Sequence, residues 1–362
     1  MPQGKKYSFF LGARSPRSFY YAYDSFTDDK AIDQVFIIKG GPGCGKSSFM
    51  KKLGIKLVEA GADTELIHCA SDPDSLDGLI SPSAKTALCD GTAPHVIEPK
   101  YPGALETYLN FSDFWDASLI KKNYNEIVGL NDSMKLLNRR AYSFIAAACK
   151  VSDEMFATIL PFSDIKKIEK RTKGIILREL QNKSTREGVM KKRFLSCVSP
   201  TGVTFFSETV SSLFSRVYRL SDTYGLSHFM LASIAKAACA AGHDAYVCYC
   251  PLNPEGKIDH VLIPALSLAF ITVNDNLPYA DDSDRHIRLD AYIDHDRYLD
   301  FRDQLRHWKK IFQALIENAA DSIGESKELH DKLEAYYVPA MDFTKVDRLF
   351  DELCPKILER IK

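Results

Sequence analysis

The sequence predicts an α/β protein of two tandem modules, each a mostly parallel sheet flanked by helices with a helical extension. Three observations predict it. An apolar strand, a glycine-rich turn and a helix start follow one another in VFIIKGGPGCGKSSFMKKLG (35–54). The same rhythm returns in RVYRLSDTYGLSHFMLASIA (216–235), with most of the polar chemistry missing. Smaller matches keep one order in both halves, and strands separated by helices imply parallel βαβ units.

The elements follow in that order. FLGARSPRSFYY (10–21) matches FLSCVSPTGVTFF (194–206) through Phe-Leu and Ser-Pro and reads as a short hairpin-like segment. The strand, turn and helix come next, with Phe49-Met50 opposite Phe229-Met230. A second strand (TELIHCAS, AYVCYC) leads to the acidic turn PDSLDG in the first copy, and a third strand follows (KTALCD, LSLAFIT). This alignment sets Cys69 against Cys250, Pro73 against Pro254 and Asp77 against Asp259. The mostly helical remainder, about 112–181 in the first copy, has apolar residues at helical spacing, and its tail pairs Asp153 with Asp331 and Pro161 with Pro339. Between the copies, NKSTREGVMKKR (182–193) is polar and basic and reads as the linker. The expected modules are therefore 1–185, active, and 186–362, degenerate.

Composition bounds the partners. A chain of 362 residues, 45% hydrophobic and 26% charged, suffices for two ordinary cores. Lys plus Arg at 47 against Asp plus Glu at 48 leaves a formal charge of -1, so no basic excess points to nucleic acid. The nine cysteines are odd in number and scattered through apolar runs, as expected of reduced thiols in a cytoplasmic protein. Cys248 and Cys250 form a C-x-C with no second pair, so structural thiols are expected there. The first residues lack a signal-peptide run and no apolar stretch approaches membrane-spanning length, so no membrane partner is expected.

The chemistry concentrates in Gly40, Gly41, Pro42, Gly43, Cys44, Gly45, Lys46, Ser47 and Ser48. Residues 40–47 satisfy G-x-x-x-x-G-K-[ST], which background frequencies would place by chance in only about one chain in a hundred of this length. Glycines let backbone N–H groups wrap a phosphate, and the helix start adds positive potential at the same place. Lys46 is expected to reach the β and γ phosphates of ATP, and Ser47 to ligate Mg²⁺. Cys44 is expected to fill space. The metal also needs a carboxylate at a neighbouring strand end: Asp90, closing KTALCD, is preferred over Asp72. Glu98, after HVI, is a candidate general base, and His68 and His95 are read first as satisfied histidines.

The second copy serves as an internal control. By sequence, Leu220, Thr223, Leu226 and Thr272 stand opposite Gly40, Gly43, Lys46 and Asp90, while Gly225 and Ser227 keep Gly45 and Ser47. A leucine in place of the lysine cannot pair with phosphate, so no ordinary triphosphate site is expected there. Arg14 and Arg17 face Val198 and Thr201, losses that match the lysine's and suggest that Arg14 serves the first site as an arginine finger.

KGGPGCGKSSFMKK with HCASDPDSLDGLI, LCDGTAPHVIEPKYPGA and FSDFWD resembles an uncharacterised bacterial family of tandem-repeat P-loop ATPases, within the P-loop NTPase superfamily. The resemblance covers essentially the whole chain. It implies P-loop NTPase folds and ATP binding through Gly40, Gly43, Gly45, Lys46 and Ser47. In that family the second half often keeps its own P-loop, and this chain's departure argues against two active ATP sites. The function expected first is a Mg²⁺-dependent ATPase with one active site, the second module serving regulation or a protein or small-molecule partner. A small-molecule or nucleotide kinase and a non-hydrolysing ATP sensor are the alternatives.

Overall fold

The structure, a computed structural model, describes residues 3–27, 29–92, 97–181, 186–280 and 285–361. In the first half, the strands are β1 (Lys6–Phe9), β2 (Gly12–Arg14), β3 (Phe19–Tyr21), β4 (Gln34–Lys39), β5 (Thr64–Cys69), β6 (Asp72–Ser81), β7 (Thr86–Asp90) and β8 (Glu106–Asn110). Its helices are α1 (Asp24–Thr27), α2 (Lys46–Glu59), α3 (Ala117–Lys121), α4 (Tyr124–Ile159) and α5 (Ile165–Glu179). The second half repeats the plan with β9 (Met190–Arg193), β10 (Ser196–Ser199), β11 (Gly202–Phe205), β12 (Arg216–Ser221), β13 (Ala245–Cys250), β14 (Asn253–Ile263), β15 (Leu268–Val273) and β16 (Arg285–Arg288). Its helices are α6 (Ser207–Leu213), α7 (Ser227–Ala240), α8 (His295–Tyr337) and α9 (Phe343–Leu358).

Two six-stranded sheets result, ordered β1-β5-β6-β7-β4-β8 and β16-β12-β15-β14-β13-β9, and these are the same order read in opposite directions. The duplication is thus a property of the fold. Each sheet is mixed: β6 runs antiparallel to β5 and β7, as β14 does to β13 and β15, while the remaining pairings are parallel. The acidic turn expected at PDSLDG is therefore the opening of strand β6. Its alternation is hidden because the strand starts at a bulge, where register shifts around His68 let Cys69 pair with Asp72. The same bulge recurs where Cys250 pairs with Asn253.

The expected linker is also partly strand. Met190–Arg193 pairs parallel with β13 as a sheet edge. Its basic side chains conceal this: Lys192 lies 4.3 Å from the ring centres of both Tyr20 and Tyr249, and Arg193 covers Tyr246. Residues 182–185 of the expected linker lie outside the described residues.

The compact units cut across the linear halves 1–185 and 186–362. Unit 1 comprises 1–12, 21–140 and 321–362, and unit 2 comprises 13–20 and 141–320. The exchange has a plain cause in the apolar stripes of the last helices. In unit 1, α9 buries Val346, Phe350, Cys354 and Ile357 in one core with Phe49, Met50, Leu53 and Leu57 of α2. In unit 2, α5 buries Ile168 and Ile175 with Met230, Leu231 and Ile234 of α7. Each buried aliphatic side chain contributes roughly 1.5–3 kcal/mol, so a four-residue stripe decides which sheet a helix covers. Asp342 and Asp164 cap the two helices, accepting from Thr344 N–H and Lys167 N–H.

All nine cysteines are free thiols, and among the described residues no helix is long and apolar enough to cross a membrane. One buried histidine sets a pH dependence. His260 on β14 is 1% exposed, stacks on Phe205 at 5.1 Å, and neither ring nitrogen has a hydrogen-bond partner among the described residues. Burial pulls its pKa down from 6.5 to about 4. The unfolded chain therefore takes up the proton first as pH falls, so this contribution is complete above pH 6.5 and is lost toward pH 4. The loss amounts to about 3 kcal/mol. Urea unfolding of unit 2 between pH 7 and 4 should show it, and His260→Leu should remove that share of the slope; an unchanged slope would refute the assignment.

Candidate functional site

Strand β4 lies between β7 and the edge strand β8, so residues 40–45 leave the sheet one strand in from its edge and turn into α2. Gly43 and Gly45 hold φ of 67° and 88°, a region in which only glycine is unstrained. Lys46 folds back along the loop, donating to the carbonyls of Gly40 and Gly41 at 2.9 and 2.8 Å. Its Nζ lies 3.6 Å from Asp90 Oδ2, because the parallel register sets Asp90 beside Ile38. Thr92 ties the two strand ends, donating its N–H to Asp90 at 2.8 Å and its hydroxyl to the Gly40 carbonyl at 2.8 Å. Ser47 Oγ accepts from Leu76 N–H at 3.0 Å, which anchors the start of α2 to β6. Burial pushes the Cys44 thiol pKa up, so it fills space as a neutral group. Pro42 is half-buried and Ser48 exposed.

The other expected residues are less close-knit. Asp72 opens β6, accepts from Ser75 Oγ at 2.7 Å, and lies near enough to Lys327 to help hold that ammonium's pKa up, after Asp331. Glu98 is exposed and engaged: Tyr108 donates to it at 2.6 Å and Lys39 lies 3.4 Å away. The Tyr108 hydrogen bond first, and Lys39 second, lower its pKa and disfavour it as a general base. Arg14 is buried, at 3% exposure, and belongs to unit 2, whereas the loop belongs to unit 1. His68 is satisfied, with Nδ1 2.6 Å from the Pro73 carbonyl. His95 lies outside the described residues.

The residues that cover the loop come from far along the chain. Glu334 Oε1 accepts from Gly43 N–H at 3.0 Å. His330 Nε2, 3.4 Å from the same oxygen, is the main group holding the Glu334 pKa below the usual carboxylate range, with the Gly43 N–H and Lys46 adding to it against the cost of burial. A Cβ on Gly41 would stand 2.9 Å from the Tyr337 ring and 3.0 Å from Trp115; one on Gly43 would stand 2.9 Å from Val338, and one on Gly45 3.3 Å from Phe343. No signal in the sequence links Glu334 to Gly43. The repeated helical tails align with each other, and only the exchange of the last helices brings this one to the loop.

The second loop corrects the sequence alignment. Strand register sets Leu220 beside Thr272 as Ile38 stands beside Asp90, so the counterpart of Gly40 is Asp222. Asn274 donates to the Asp222 carbonyl as Thr92 does to that of Gly40. The burial pattern of α7 matches that of α2 with Met230 at the place of Phe49, so Ser227 replaces Lys46 and His228 replaces Ser47, the loop being one residue shorter. Hydrogen bonds agree: Ile258 N–H donates to His228 as Leu76 N–H does to Ser47, and Thr272 donates to Ser227 at 2.9 Å where Asp90 faces Lys46.

This second nest of N–H groups is filled from within. Asp222, 2% exposed, accepts from the N–H groups of Tyr224, Gly225 and Leu226 on one oxygen and from Ser227 N–H at 2.7 Å on the other. Lys257 stands 3.3 Å from Asp259. Burial works against its charge, but Asp259, Cys250 and Asp222 more than offset this and raise its pKa. The second loop thus holds a fixed internal anion with a cation beside it.

Comparison with protein-family models, with curated proteins and with solved structures returned no match for this chain.

Proposed function

We propose that the chain is an ATP-binding P-loop protein that hydrolyses ATP with Mg²⁺ at a single site in unit 1, its second module serving regulation or partner binding. The observation that carries this reading is the pairing of Lys46, at the start of α2, with Asp90 at the end of β7, the parallel neighbour of β4, at a loop whose Gly43 N–H already donates to an anion. A nest of that kind accepts phosphate. Ser47 and Asp90 fit the donor set that Mg²⁺ needs, a hydroxyl and a carboxylate, with phosphate oxygens and water completing the shell. The ion would neutralise charge on the phosphates, and Lys46 would swing from the Gly40 and Gly41 carbonyls to the same oxygens. The resemblance to tandem P-loop ATPases supports the same reading, and the internally filled second loop supports a single site.

Glu98, engaged by Tyr108 and Lys39, favours one alternative, an ATP sensor with negligible turnover. Incubating the protein with Mg-ATP separates the readings. Hydrolysis releases phosphate without an acceptor, a kinase needs one, and a sensor gains melting temperature alone. Asp90→Asn should cut phosphate release by at least about tenfold through loss of metal binding. Full release by Asp90→Asn would remove Asp90 from the metal site.

A further inference from the structure

We propose that Glu334 is an internal competitor for the phosphate position of the first loop, so that nucleotide enters only when the corner between α8 and α9 lifts this carboxylate off Gly43. The inference rests on the nucleotide reading above and adds a regulatory element to it. Three observations carry it. The Gly43 N–H, one of the groups a phosphate would use, donates to Glu334 at 3.0 Å. The face of the loop is crowded, with Tyr337 and Trp115 against Gly41, Val338 against Gly43 and Phe343 against Gly45, so a chain of phosphates would compete with these side chains.

The third observation is the comparison within the chain. In the alignment that pairs Asp153 with Asp331 and Pro161 with Pro339, Phe156 stands at the place of Glu334. Phe156 also lies against the second loop, 3.6 Å from where a Cβ would lie on Gly225, which follows Asp222 by three residues as Gly43 follows Gly40. In unit 2 the loop supplies its own carboxylate, Asp222, and the helix position is apolar. In unit 1 the loop begins with glycine and the helix supplies the carboxylate. This exchange ties Glu334 to the nest, since a glutamate serving only to solvate its helix would have no reason to vary with the loop.

A displaceable carboxylate differs from a built-in one. Asp222 is held by residues next to it in sequence, whereas Glu334 reaches Gly43 from a separate helix and can leave with it. The apparent affinity of nucleotide is then reduced by the fraction of molecules in which Glu334 has left.

Trp115 provides the readout, because it touches Gly41 and lies 5.8 Å from Tyr337. Trp308 is the other tryptophan of the chain, so a Trp308→Phe background isolates its emission. Calorimetric titration of the variants with Trp308 intact gives the same ratio if that background fails to fold. Mg-ATP should bind Glu334→Ala at least about tenfold more tightly than the parent and Glu334→Gln severalfold more tightly, because the charge-assisted hydrogen bond is lost from the closed state. Adding Lys46→Ala should abolish binding in every background. If both Glu334 variants bind as the parent does while Lys46→Ala still removes binding, the site is real and Glu334 is no competitor. If no variant binds Mg-ATP, the nucleotide reading fails and takes this proposal with it.

Discussion

Lys46→Ala is expected to weaken Mg-ATP binding by at least about a hundredfold, roughly 2.7 kcal/mol. The physical basis is that, on the proposed reading, Lys46 would be the cation that meets the phosphate oxygens, and its side chain is only 11% exposed, so water screens it little. In the structure the same ammonium donates to the carbonyls of Gly40 and Gly41 and faces Asp90. Its removal also leaves Asp90 without its cation, so a variant that keeps the two positions satisfied is needed beside it. The second module supplies the control: Ser227 and Thr272 fill the same two positions with a neutral hydrogen-bonded pair at the foot of the shorter second loop. The double variant Lys46→Ser, Asp90→Thr should therefore fold with a melting temperature near that of the parent and bind no nucleotide. Calorimetric titration with Mg-ATP checks both, and parental affinity in either variant would overturn the assignment of the site.

Asp222→Ala is expected to destabilise unit 2 by about 3 kcal/mol or more. One carboxylate accepts from four successive backbone N–H groups at 2.7–3.1 Å, and the group is 2% exposed. Unsatisfied buried donors cost about 1–3 kcal/mol each, reduced here to the extent that water enters the vacated space. The Lys257 ammonium would also lose one of the anions that hold its pKa up. Asp222→Asn keeps an acceptor oxygen while losing charge, and should cost less. Inorganic phosphate or sulfate should restore part of the stability of Asp222→Ala and none to the parent, because an emptied nest of N–H groups is an anion site. Denaturant unfolding with and without phosphate measures this; an alanine variant as stable as the parent would show that the carboxylate does not hold the loop.

The two experiments concern loops that were legible to different degrees. The strand, glycine-rich turn and helix at 35–59 were legible, because the turn needs glycine at the positions of positive φ, Gly43 and Gly45, and that demand is local. Asp90 was legible as an apolar run closed by a carboxylate. Asp222 was not: the loop is one residue shorter than its counterpart, so alignment through Phe49 and Phe229 slides past it, and only strand pairing and helix burial fix the correspondence. Glu98 looked like a base in sequence, yet its neighbours Lys39 and Tyr108 are brought by β4 and β8. Arg14 matched the pattern of losses in the second half but folds into the other unit.

Sequence alone determined the α/β class, the duplication, the strand-to-helix setting of the first loop and the loss of its lysine counterpart in the second. These follow from local rules: side-chain periodicity, the conformational freedom of glycine, and the charge a phosphate requires. Tertiary structure decided which helix covers which sheet, that a carboxylate stands in each nest, and where that carboxylate comes from. The stripe on α9 fits either sheet as a pattern of apolar residues. Packing against Phe49 and its neighbours selects one, and that choice sets Glu334 on Gly43 from 291 residues away.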